Sequence, residues 1–496
     1  MNAVKMSCLR GPLRPIATLA AMALASCLLG GNPPLFAADT IAPENVQAEH
    51  NAIGNAPPAT THTHTLDPGA QWYPDAGLGL FIHWGIASVK GINISWSMRD
   101  GLNGKPAQIT PNDYFAMAKD FNPQKYDPAK WLEAAKAAGF TYAVLTTRHH
   151  EGFALWPSDY GDFSTRNYMN GRDLLRPYVE ACRRFGLKVG FYYSPPDWYF
   201  DRDFMNFSMR RGAPPLGPDL KPRTEMKTPA EIAAHDRAYA ALVRGQLEEL
   251  LTHYGKIDLL WFDGRIPGAT GESVMPISRI RELQPGIVMN GRFHGHGDFI
   301  NYERTLTATN PADGWAEYCN TWSDYWPYVI GAKFRANGFI IGQYVTCRSL
   351  HINYLLDVGA MSDGELPPEV YTNFAVLGAW MKTNGESVKG TLPLPDGESA
   401  NVPATSSATA RYLFALPQFT GTTGAASPSH VYPADLLPPH DTTLTLDGIP
   451  QPASVILLGD GGKLDFDYTN KTLTVQLPAA RRTPLVDVVK VEISNQ

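Results

Sequence analysis

Four apolar runs in this chain each end in a cluster of polar and aromatic residues, and that repeated ending limits the fold most. The sharpest is LLWFDGR at 259–265. From Ile257 to Phe262 the chain is apolar except for Asp258, which reads as a buried strand, and Asp263-Gly264 ends it. The others are FIHWG at 81–85, TTRHHEGF at 146–153 and FYYSPPDW at 191–198. A lone Asp-Gly would ordinarily turn the chain or cap the next helix. Several strands that carry His, Tyr and Asp to one end build a concave polar rim instead, as the C-terminal face of a β/α barrel does.

The stretches between these runs fit that expectation, because strand and helix patterns alternate from Trp72 onward. Strands are expected at 79–83, 141–147, 187–194 and 257–262, with 280–283, a strand at 287–290 and another near 339–344 continuing the alternation. Asp127 opens a helix with Pro128 in its first turn, Trp131, Leu132, Ala135 and Ala138 on one face, and Gly139 as its stop. Further helices are expected over 172–185 and from Pro229 through Leu251. Residues 199–230 carry Pro, Arg, Asp and Met without a period, too long for an ordinary connection and so a functional loop. Repeated βα units predict an α/β fold, a TIM-like (β/α) barrel over 71–392. After about Pro393 the texture changes to short alternating runs (YLFAL, TLTLDG, SVILLGD, TLTVQLP, VVKVEIS) between turn residues, which predicts a β-sandwich over 393–496.

Composition narrows the class. A chain of 496 residues, 44% hydrophobic and 18% charged, can bury a large core in two domains, and a net charge of −6 carries no nucleic-acid signature. Eleven Trp and 22 Tyr suit a carbohydrate binder, since sugar C–H faces stack on flat rings, though a large core also uses them. Lys5, Arg10 and Arg14 precede an apolar stretch from Ile16 to Ala25 that is too short to span a bilayer, so residues 1–38 read as an export signal. Cleavage near Ala37-Ala38 would release a soluble periplasmic or secreted product, whereas Leu24-Ala25-Ser26-Cys27 resembles a lipobox that would lipidate Cys27. No later run is long enough for a membrane span. Residues 39–70 read as a linker, in which His62 and His64 look incidental. Cys182, Cys319 and Cys347 allow one disulfide at most and show no zinc spacing.

Two chemistries fit His83, His149, His150, Asp263 and Glu303. A metal-dependent hydrolase of the amidohydrolase kind would need His-x-His after the first strand, but His83 is followed by Trp84 and Gly85. A sugar site needs imidazoles and an Arg to meet hydroxyls, aromatic walls and two working carboxylates. The residues favour the sugar site, with no metal and no cofactor.

At these positions the chain resembles glycoside hydrolase family 29, the α-L-fucosidases. The likeness rests on GLFIHWGIASV (79–89), YAVLTTRHHEGFALW (142–156), RDLLRPYVEACRRFGLKVGFYYS (172–194), LEELLTHYGKIDLLWFDG (247–264), EYCNTWSDYWPY (317–328) and GELPPEVYTNFAVLGAWMKTNGESV (364–388). It implies a retaining exo-α-L-fucosidase acting on fucosylated glycans, with Asp263 as nucleophile and Glu303 as acid/base, Glu317 standing in reserve. It also implies sugar contacts from His83, Trp84, His149, His150, Tyr192, Trp261 and Arg292, and an apolar wall from Phe81, Trp96 and Trp326. The family's Glu before the wall tryptophan is Ser95 here, its Asn-Asp-Arg-Trp is Asn290-Gly291-Arg292-Phe293, and its Asn-Ile-Gly-Pro is Asp357-Val358-Gly359-Ala360. These departures leave open an α-L-galactoside or sulfated fucan as substrate, or a carbohydrate-binding protein without catalysis.

Overall fold

The computed structural model describes residues 43–55, 63–306, 312–420 and 431–493. The expected export signal, Cys27 and His62 lie outside these residues.

Eight parallel strands form one sheet: β1 (Leu78–His83), β2 (Tyr142–Arg148), β3 (Lys188–Tyr193), β4 (Leu259–Phe262), β5 (Val288–Met289), β6 (Ile300–Glu303), β7 (Ala316–Thr321) and β8 (Asn353–Gly359). Their order is β5-β4-β3-β2-β1-β8-β7-β6, so β1 pairs with both β2 and β8. A parallel bridge from Asn290 to Phe299 joins the β5 and β6 edges, and the order becomes that of a (β/α) barrel. Side chains alternate across each strand. One set fills the barrel interior, including Phe81, Tyr142, Val144, Tyr192, Leu259, Trp261 and Leu355; the other packs under the helices.

Local chemistry sets the helix ends. Asp127 caps the helix Pro128–Ala138 by accepting from the Ala129 N–H at 3.1 Å, and Gly139 ends it at φ 101°, a conformation glycine adopts without strain. Thr228 and Glu231 form a capping box at the start of Pro229–Thr252. The strand expected near 339–344 is instead the middle of a helix, Asn337–Ser349, and the strands on either side of it are β7 and β8. Almost every residue of that helix is buried, so its apolar run has no polar face to show a helical period.

Residues 43–52, expected within a linker, form a helix, α1 (Pro43–Ala52). His64 stacks flat on Trp315, with ring centroids 4.3 Å apart. Cys182, Cys319 and Cys347 are free and buried. Among the described residues no helix is long and apolar enough to cross a membrane.

The C-terminal strands are β9 (Ser399–Ala400), β10 (Ala404–Ser406), β11 (Ala410–Ala415), β12 (Thr442–Asp447), β13 (Pro452–Leu457), β14 (Phe466–Thr469), β15 (Thr472–Leu477) and β16 (Asp487–Ile493). They make two antiparallel four-stranded sheets, β10-β11-β16-β13 and β14-β15-β12-β9. Leu413, Val455, Val489 and Val491 of the first sheet meet Leu444, Leu446, Leu473 and Val475 of the second in a separate core, as in a β-sandwich.

Candidate active site

The site lies at the C-terminal ends of β1 to β6. In β1 the inward positions are Phe81 and then the terminal His83; in β4 they are Trp261 and, one step past the strand, Asp263. His149 and His150 follow β2 directly, Tyr192 comes from β3, Arg292 follows β5 and Glu303 ends β6. Trp326 closes the wall from the segment after β7.

Asp263 is held from three sides. Its Oδ1 accepts from Arg292 Nη1 at 2.8 Å and from Asn55 Nδ2 at 3.0 Å, and its Oδ2 accepts from the Tyr192 hydroxyl at 2.9 Å. His150 Nε2 stands 3.6 Å from the same Oδ2. The other arm of Arg292 reaches Glu303, with Nη2 at 2.5 Å from Oε2, and the guanidinium lies 4.4 Å over the Trp261 ring. One planar fork thus grips both carboxylates. Burial opposes the Arg292 charge, but Glu303 and Asp263 outweigh it and raise its pKa. Burial likewise opposes the Glu303 charge, yet Arg292 and His50 outweigh it and hold this carboxyl well below the usual range.

The imidazoles are oriented by serines and by an acid. Ser194 Oγ donates to the Pro196 carbonyl at 2.9 Å, so it accepts from His150 Nδ1 at 2.7 Å and leaves Nε2 of a neutral ring as an acceptor. Ser95 does the same beneath His149: its hydroxyl donates to Glu151 and meets His149 Nδ1 at 2.7 Å. Burial, with the neighbouring His149 and His83, keeps the His150 pKa low. His83 Nδ1 lies 2.6 Å from Asp357 Oδ1, where burial lowers the histidine and raises the acid. Burial thus favours the neutral forms of both groups over an ion pair. His149, His150 and Asp263 also bring one ligand atom each within 4.8 Å of one another, a spacing that a metal ion could use.

Residues 45–386 match the sequence model of the family described as Alpha-L-fucosidase. The chain belongs to that family. Human tissue alpha-L-fucosidase is 27% identical over 351 residues, which covers 66% of this chain and 70% of that protein. The structure of alpha-L-fucosidase isoenzyme 1 from Paenibacillus thiaminolyticus superposes with a TM-score of 0.67 at 28% identity, covering 86% of this chain and 99% of that one. A GH29 alpha-L-fucosidase from Bacteroides thetaiotaomicron, solved as a trapped covalent intermediate, shares the fold with a TM-score of 0.64 at 24% identity and covers 88% and 99%.

Within this α-L-fucosidase family member, Phe81, His83, Trp96, His149, Tyr192, Trp261, Asp263, Arg292, Glu303 and Trp326 all line one pocket, with His150 against Asp263 behind it. Two expected residues lie elsewhere. Trp84 follows inward-facing His83, so alternation turns it into the core, where it stacks on Tyr126 and donates from Nε1 to the Met361 carbonyl at 2.9 Å. Glu317 points inward from β7 but lies beneath the pocket, fully buried. It accepts from Trp261 Nε1 and the Tyr142 hydroxyl, both at 2.8 Å, and so fixes the wall tryptophan. Burial pushes its carboxyl up to about 7 against those hydrogen bonds. Sequence reasoning missed Glu151 and four residues of the supposed linker: Glu49, His50, Ile53 and Asn55. The available signal was Pro43 in the first turn of a run rich in helix formers.

Proposed function

We propose that the chain is a retaining, exo-acting α-L-fucosidase in which Asp263 is the nucleophile and Glu303 the acid/base. The observation that carries this reading is the Arg292 fork. Its terminal nitrogens are a short, rigid distance apart, so the two carboxylates it grips sit close together. Retaining glycosidases need roughly 5–5.5 Å between carboxyl groups, whereas inverting ones leave about 6.5–9.5 Å for a water. Asp263 would attack the anomeric carbon as the glycosidic C–O bond breaks and Glu303 gives its proton to the leaving oxygen. Glu303 would then take a proton from water, whose oxygen attacks the same carbon and frees Asp263. The wall of Phe81, Trp261 and Trp326 suits a methyl group at C6, where the extra hydroxyl of galactose would lose its hydrogen-bond partners. The enclosed pocket suits a terminal residue of a glycan. Residues 1–38 fit an export signal that would place this activity outside the cytoplasm.

Release of phenol from an aryl α-L-fucoside tests the activity directly. Asp263→Gly should lower turnover by on the order of 10⁴-fold, and azide should restore part of it as a fucosyl azide, since a small anion fits the vacated space. Full activity in that variant would remove Asp263 from the mechanism. Activity should also survive exhaustive chelation. Loss on chelation with rescue by Zn²⁺ would instead make His149, His150 and Asp263 a metal site.

A further inference from the structure

The pocket described above is nearly full. It encloses about 20 Å³, room for about one water, and Glu49, His50 and Ile53 supply one side of it. A sugar ring is several times larger than a water. Beside it lies a cleft of about 570 Å³, built largely by residues 196–239 and lined also by Ala52 and Ile53. The end of α1 therefore stands between the reacting carboxylates and open space.

Its contacts fall on the groups that chemistry would need. Asn55 Nδ2 donates to Asp263 Oδ1 at 3.0 Å while Asn55 Oδ1 accepts from the Gly264 N–H at 2.7 Å. The Ile53 carbonyl accepts from the Arg265 N–H at 2.8 Å, and the approach is so close that a Cβ on Gly264 (φ 93°) would lie 2.9 Å from that oxygen. His50 Nε2 meets Glu303 Oε2 at 3.0 Å. In the proposed reaction Glu303 must begin protonated, and Arg292 and then His50 favour the ionised form instead.

We propose that residues 43–55 are an internal plug: α1 and the turn behind it occupy the substrate's place in front of Asp263 and Glu303, and substrate must displace them. This rests on the reading of those two residues as the reacting pair. Asn55 takes the hydrogen-bond position on Asp263 that a sugar hydroxyl would take. The plug is built to leave. Ile53 is its one fully buried described side chain, while Gln47, Asn51 and Gly54 are exposed. Ten residues are also too few for a helix to persist in water by itself. Glu49 loosens it further. Burial pushes its carboxyl up, Arg304 pulls it down, and Glu303 and Asp263 push it again, to about 7. Above that pH the Glu49 charge faces Glu303 and Asp263, countered by Arg304 and Arg292, with the His50 ring beside it, and docking weakens.

Two full-chain variants test this: deletion of residues 43–55, and His50→Ala/Asn55→Ala, which keeps the chain length. The readouts are the Kd of the iminosugar deoxyfuconojirimycin by calorimetry, the KM and kcat for an aryl α-L-fucoside, and Tm. A plug makes the open pocket a minor state, so both variants should bind the iminosugar roughly tenfold more tightly and show a KM lower by a similar factor. Unchanged or weaker iminosugar binding in the double variant, with its Tm retained, overturns the plug. Tighter binding without turnover in any form keeps the plug and overturns the assignment of the reacting pair.

Discussion

Two stretches of the barrel are built differently. From β1 to β4 the strands are four to seven residues long and buried almost throughout, and they carry His83, the His149-His150 pair, Tyr192 and Asp263 on or next to their last residues. From β5 to β6 the strands shrink to two and four residues, and β6 is only half-buried. Arg292 and Glu303 come from this looser stretch, and His50 of α1 docks against it. In the proposed reaction, the groups that would hold the sugar ring and its anomeric carbon sit on rigid strands. Glu303, the proposed acid/base, which would adapt to a variable leaving partner, sits where the backbone has room to vary.

That contrast can be broken by experiment. The largest effect belongs to Glu303. Its removal to Ala should slow a poorly activated fucoside by about 10²–10⁴-fold while sparing a dinitrophenyl fucoside, which needs little protonation. Glu317→Gln should show no such dependence on the leaving group, and if it alone did, the acid/base would lie on β7.

Substitution of His149 or His150 by Ala should cost about 2–3 kcal/mol in kcat/KM, since an acceptor for a sugar hydroxyl is lost together with its contact in the transition state. A loss confined to Tm would assign these rings to packing.

Glu317 gives a smaller effect, visible in stability. Its carboxyl stands at about 7 in the folded chain against an ordinary 4.5, so the folded state keeps a proton that the unfolded state has released. Stability should therefore fall as pH rises from 4.5 to 7 and level off above, by on the order of 3 kcal/mol at most. Glu317→Gln should flatten this slope in pH-resolved thermal melts. A slope of unchanged size in the variant would place its origin elsewhere.

The smallest effect is expected at Asp357. A protonated Asp357 carboxyl and an amide would both donate to His83 Nδ1, so Asp357→Asn should leave kcat/KM within about threefold. A loss of a hundredfold would show that Asp357 is ionised and that His83 presents an acceptor.

The same contrast decided what the sequence disclosed. Strands β1 to β4 are apolar runs with polar endings, a signal that residue order carries unaided, and four of their rims were readable from it. The short strands β5 and β6 give little period, and Arg292 and Glu303 were located through resemblance to the family rather than from local pattern. Trp84 was misplaced because a motif was carried over whole, although strand alternation turns it away from His83. The helix Asn337–Ser349 read as a strand because burial on all sides erased its polar face. α1 was missed for the opposite reason: it is mostly polar, and what holds it is a handful of hydrogen bonds to groups distant in sequence.

The Arg292 fork has a consequence for the course of the reaction. With Asp263 and Glu303 in their proposed roles, a single negative charge would change places twice in each cycle. It rests on Asp263 while Glu303 holds its proton, moves to Glu303 once Asp263 becomes an ester, and returns when water arrives. Arg292 touches both stations at once, through Nη1 and Nη2, and is itself braced on the Trp261 face. The cation therefore need not follow the charge. It acts as a stationary pivot, and neither step requires the surroundings to reorganise around a newly formed ion.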